Sequence, residues 1–85
     1  MNSEDRLRII GSKAVTEVGP TTQATLANMR ARGYGIPYLR LHGNRVGYFL
    51  AVARVYFAGR DDEEVRALHE ALVTELNRAV DGAAA

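Results

Sequence analysis

The chain has 85 residues, 47% of them hydrophobic, and no cysteine, which suffices for one small domain with little surplus stability and excludes a second catalytic domain, a disulfide framework and a thiolate zinc site. The charged start MNSEDRLRII carries no apolar signal core and no apolar run is long enough to span a bilayer, so the expected setting is the cytoplasm. The formal net charge of +1 hides a segregation: residues 6–60 hold nine cationic side chains against Glu17, a net +8, while residues 61–85 hold seven acidic side chains against Arg66 and Arg78, a net −5. Either the basic part meets a polyanion, or a solvated surface has been sorted by chance.

Taken in chain order, Leu7, Ile10, Ala14, Val15 and Val18 recur at spacings of three and four, which predicts a first helix from Ser3 or Arg8 to Val18, with Gly11 as the point where it can split. Gly19-Pro20 breaks it. Thr21 or Thr22 caps a second helix that runs to about Arg32, with Leu26 and Met29 spaced to face the core and Gln23, Ala27, Asn28 and Arg30 left outside. Gly33 stops this helix as a left-handed cap. Gly35 and Pro37 then force extended chain, Tyr38 to His42 alternates at period two, and Gly43-Asn44 is a two-residue primed turn returning through Arg45 to Tyr48. Phe49 to Ala58 is apolar, and its length and the stop at Gly59 favour a short helix over a strand.

The last segment opens on a capping box, Asp61 with Glu64, and carries a stripe of Val65, Leu68, Leu72, Leu76 and Val80. The fold expected is therefore mainly α with a small β-hairpin: a winged helix-turn-helix over residues 1–60, an amphipathic helix over 61–81, and a frayed tail over 82–85. The stripe either packs back onto the first sixty residues as one domain or serves as an oligomerisation element.

A short helix followed by a basic hairpin is a shape that fits duplex DNA, the helix in a major groove and the hairpin on the flanking backbone or minor groove. The candidate contacts from the helix are Thr21, Thr22, Gln23, Asn28, Arg30 and Arg32: amides can pair with adenine, arginine with guanine or phosphate, and threonine with phosphate at the helix start. Those from the hairpin are Arg40, His42, Asn44 and Arg45. The plainer alternative is the solvated face of an amphipathic helix, with Arg32 complementing the helix dipole. Tyr34, Tyr38, Tyr48 and Tyr56 could stack on bases, but their apolar neighbours favour core or rim. His42 and His69 are far apart without neighbouring ligands, and no triad, phosphate loop or paired carboxylate set occurs, so no metal, cofactor or enzymatic activity is expected.

These residues form an ordered set. Thr25-Leu26 in the second helix, Arg30 to Gly33 at its end, Gly35-Ile36-Pro37 leading into the hairpin, Gly43 with Arg45 in it, and Tyr48 closing it resemble the winged helix-turn-helix of phage excisionases, of AlpA-like prophage regulators and, more distantly, of the MerR DNA-binding domain. The resemblance covers about Val15 to Arg60 and extends to the short helix that follows; Met29 stands where the family commonly has tryptophan, and Gly19-Pro20-Thr21 where it has Gly-Val-Ser. It implies a sequence-specific double-stranded DNA-binding protein in a bacterial cell or its nucleoid. Arg45 would be the hairpin arginine that meets phosphate or the minor groove. As an excisionase the protein would bend repeated sites and direct an integrase towards excision; as a small prophage regulator of AlpA- or Cro-like kind it would use the same surface at a promoter. The implied partners are DNA, a second copy or an integrase, with no membrane and no small-molecule substrate. A third reading makes it a protein adaptor working through the helix that begins at Asp61.

Overall fold

The computed structural model describes residues 6–84, where helices predominate around a small antiparallel sheet. The apolar spacing from Leu7 to Val18 does not give a single helix. Ile9–Ile10 is a strand, β1, and the helix, α1, covers only Ser12–Val18, with Gly11 in extended conformation at its N-cap. The physical reason is long-range: the two β-branched isoleucines pair with Phe49 and Tyr48, a contact that overrides local helical periodicity. The expected start at Arg8 is thus replaced by Ser12, and the alternative start at Ser3 lies outside the described residues.

The break after α1 is tight. A side chain at Gly19 would run into the ring of Phe57, so glycine is what lets this corner approach the later helix. Helix α2, Gln23–Arg32, starts at Thr22, whose hydroxyl accepts from the Thr25 amide at 3.1 Å, and stops at Gly33 in the left-handed region. Thr22 and not Thr21 is therefore the cap; the Thr21 hydroxyl is turned inward and has no hydrogen-bond partner among the described residues. Leu26 and Met29 are buried as their spacing predicts.

Strands β2, Leu39–Leu41, and β3, Arg45–Phe49, pair antiparallel, with Leu41 opposite Arg45. The loop between them consequently holds three residues, His42–Asn44, and not the expected two, because the ladder closes at Leu41 opposite Arg45 and leaves His42 outside it. Gly43 and Asn44 both adopt positive φ, 74° and 63°, the combination on which primed turns depend. The sheet order is β1-β3-β2, which makes β3 central.

Helix α3, Leu50–Phe57, and helix α4, Asp62–Ala84, follow. Asp61 accepts from the Glu64 amide at 2.9 Å, as the capping motif predicts. Val65 and Leu72 are sealed in the same core as Val15, Leu26, Tyr48, Phe49 and Val52, with Leu68 and Leu76 packed partly against it. The stripe thus packs back onto the first sixty residues as far as Leu76; Val80, beyond the reach of that core, is 58% exposed. The helix also runs through Gly82 to Ala84, where a frayed tail was expected; alanine has the best helix propensity and here extends the last turn.

Two contacts fix α4 laterally. The His69 ring meets the Phe49 ring edge-on at 5.7 Å, and burial holds its pKa below the ordinary imidazole value despite the opposing pull of Glu70. Arg6 donates to the Glu75 carboxylate at 2.9 Å, which lowers the Glu75 pKa; both groups are exposed, so this pair orients more than it stabilises.

Leu72→Ala should destabilise the fold by about 2 to 5 kcal/mol, the cost of an unfilled core site, read as a lower urea midpoint at unchanged slope. For His69, the unfolded chain takes up a proton below about pH 6.5 that the folded chain resists, so its contribution is complete above that pH and is lost as pH falls through the lower folded value. The thermal midpoint should therefore fall between about pH 7 and about pH 5.5, and fall less in His69→Gln; Glu75, with its lowered pKa, acts only in the more acidic range.

Candidate nucleic-acid interface

The outer face of α2 follows from its inner one. With Leu26 and Met29 buried, a step of about 100° per residue puts Ala24, Ala27 and Ala31 in the middle of the opposite face, Gln23 and Asn28 on its flanks and Arg32 in the last turn. All six are exposed, as is Thr22 at the cap. Thr25 is exposed as well, its hydroxyl 3.0 Å from that of Thr22.

Arg30 lies elsewhere. Its guanidinium donates to the Tyr48 hydroxyl at 2.6 Å, approaches the Ser12 hydroxyl at 3.4 Å, and sits 6.0 Å from the centre of the Tyr38 ring. The side chain is half-buried. It therefore connects α2 to the start of α1, to β3 and to Tyr38 just before β2, and is not part of the outer face on which the sequence reading placed it. Thr21 is likewise withdrawn: its amide donates to the Gly19 carbonyl at 2.9 Å, and its hydroxyl faces inward. Of the six candidates on the helix side, Thr22, Gln23, Asn28 and Arg32 remain exposed.

The hairpin keeps all of its candidates. Arg40, His42, Asn44 and Arg45 are exposed, and the ion pairs among the described residues involve Arg6 and Arg60 instead. Arg45 stands opposite Leu41 at the last paired position before the loop, so its charge is held at the tip by the ladder. Leu41 beside it is 39% exposed. Lys13, on the first turn of α1 next to Ser12, adds an exposed cation that the sequence reading did not single out; the packing of α1 on α2 brings it near that helix, and nothing in its local sequence signals that.

Successive residues of a strand point to opposite faces of the sheet. Tyr48 meets Arg30 of α2, so Phe49, which meets His69 of α4, looks the other way. By the same alternation Arg40 shares the Tyr48 face and Arg45 the Phe49 face, while the acidic side chains Asp62, Glu63, Glu64 and Glu70 are exposed on α4. A cleft of about 300 Å³ opens between the chain from Gly33 to Tyr38 and the first turns of α4, with Tyr34, Asp62, Arg66 and His69 on its walls. Among the described residues no group of three or more His, Cys, Asp or Glu converges as metal ligands would, and no helix is long and apolar enough to cross a membrane.

Comparison of the chain with known protein families, with curated proteins and with solved structures finds no match.

Tyr48→Phe removes one hydrogen bond to a charged group and no charge. It should cost about 1.5 to 3 kcal/mol of stability, measured by urea unfolding; an unchanged midpoint would mean that Ser12 and the Tyr38 ring hold Arg30 without Tyr48.

Proposed function

We propose that this protein binds double-stranded DNA sequence-specifically as a winged helix-turn-helix, with α1 and α2 as the helix pair and the β2-β3 hairpin as the wing. The observation that carries the reading is the juxtaposition of two exposed surfaces on one frame. The outer face of α2 presents amides and short side chains, and the hairpin that follows presents Arg40, His42, Asn44 and Arg45. The net +8 of residues 6–60 supports it, since a polyanion would be attracted to that part of the chain. The resemblance of Val15 to Arg60 to excisionases supports the narrower role of an architectural factor that directs an integrase towards excision.

In this mechanism no bond is broken. Arg32, Arg40, Arg45 and Lys13 neutralise phosphates and release counterions, which supplies affinity; α2 in the major groove supplies register and base contacts. The Thr22 end of α2, where free amides point outward, suits a phosphate. A transcription regulator would use the same surface, and the two roles differ only in where the sites lie. The adaptor reading would work through the exposed side of α4, since Val65 and Leu72 lie in the chain's own core.

The test is a salt titration of duplex binding by fluorescence anisotropy. Arg45→Ala should weaken binding to all sequences and flatten the plot of log affinity against log salt by about one unit, the signature of one lost phosphate contact. An unchanged titration would remove the hairpin from the interface. Selection from random duplexes then separates the two roles: repeats beside an integrase attachment site indicate excision, an operator over a promoter indicates regulation.

A further inference from the structure

On the proposed DNA-binding role, we infer that α2 reads A·T base pairs, with Gln23 and Asn28 pairing to adenine and the alanines between them lying against thymine methyl groups. The inference starts from where Arg30 points. Arginine and lysine are the principal readers of guanine, through O6 and N7, and Arg30 is the single cationic side chain in α2 before its last residue. Its guanidinium is engaged by Tyr48, Ser12 and the Tyr38 ring, so it does not reach a groove that the outer face enters. Arg32 closes the helix at the end remote from the first turns, which make the base contacts in such modules.

What remains on the outer face is a specific set of hydrogen-bonding groups. Gln23 and Asn28 are exposed and flank the face; a carboxamide offers one donor and one acceptor side by side, which complements N7 and N6 of adenine. Ala24 and Ala27, between them, end at Cβ. Side chains this short bring the helix backbone close to the groove floor, within reach of the flanking amides, and present methyl groups of the kind that pack on the C5 methyl of thymine. Base reading is thus carried by the uncharged first turns of α2, and charge by the hairpin and by Arg32 at the helix end.

The full-length chain is used to select duplexes from a random pool, and the recovered duplex is re-titrated with 7-deazaadenine, which lacks N7, or with uracil, which lacks the methyl. The selected core should be A·T at the positions spanned by α2. Deazaadenine at a contacted adenine should weaken binding about tenfold or more, the loss of one bidentate pair. Asn28→Ala or Gln23→Ala, both surface changes that leave the core intact, should each abolish the sensitivity at one adenine and leave the other. A core specified by guanine, or a selected A·T core indifferent to both analogues, overturns this inference while DNA binding stands. Failure to bind any duplex overturns the DNA-binding reading itself, and this inference with it.

Discussion

The orientation of every functional element follows from two adjacent side chains, Tyr48 and Phe49, both sealed in the core at the end of β3. Because neighbours in a strand face opposite ways, one dipeptide addresses two layers: Tyr48 takes the guanidinium of Arg30 from α2, and Phe49 takes the His69 edge from α4. Ladders on both sides, to β1 and to β2, hold the strand that carries them. The base of the hairpin and the packing of α2 are therefore set by the same few residues. A helix and a hairpin joined only by the chain from Gly33 to Tyr38 would be free to reorient; joined through Tyr48 they share a frame.

That frame also sorts charge. Opposite charges close together would pair and cancel, but the ion pairs among the described residues tie α4 to Arg6 and Arg60, not to the hairpin arginines. The hairpin cations stay available to an external anion. Arg30 makes the same point from inside: a cation turned to a tyrosine hydroxyl and an aromatic face stabilises the assembly and leaves Arg32, at the helix end, as the exposed charge of α2. On the proposed function, this is what separates holding the backbone from reading the bases.

Much of this was legible where the deciding interactions are local. Thr22 and Gly33 bound α2, Asp61 opens α4, and Gly43-Asn44 turns the hairpin, all through contacts within a few residues. What escaped depends on partners distant in the chain. The Ile9–Ile10 strand imitates a helix because its spacing with Leu7 and Val15 is helical, and only pairing with Phe49 and Tyr48 decides otherwise. Arg30 sits at the boundary between the inner and outer faces of its helix, where sequence periodicity assigns neither; the Tyr48 hydroxyl, set by strand register, draws it inward. Val80 continues an unbroken stripe, but the surface that the stripe covers ends near Leu76. Periodicity reports the face of a helix and carries no information about how far its partner extends.

The shared frame has a mechanical consequence for the proposed function. α2 and the hairpin are each fastened to β3, and the hairpin is short, so they have little freedom to move apart, and on the proposed function any misfit to an undistorted duplex would fall on the DNA. α4 removes more of that freedom, since Val65 and Leu72 lie in the same core as Tyr48 and Phe49, and α4 runs for 23 residues along a molecule whose longest extent is 39 Å. When a stiff reader contacts two places on a flexible rod, the rod adjusts, and the cost depends on the sequence being deformed. An uncharged helix face that needs close approach and a charged hairpin that draws in the backbone would act together on the duplex, the first through contact at the bases and the second through attraction at the phosphates. Bending would then follow from rigidity in the protein, and selectivity would extend to base pairs that no side chain touches.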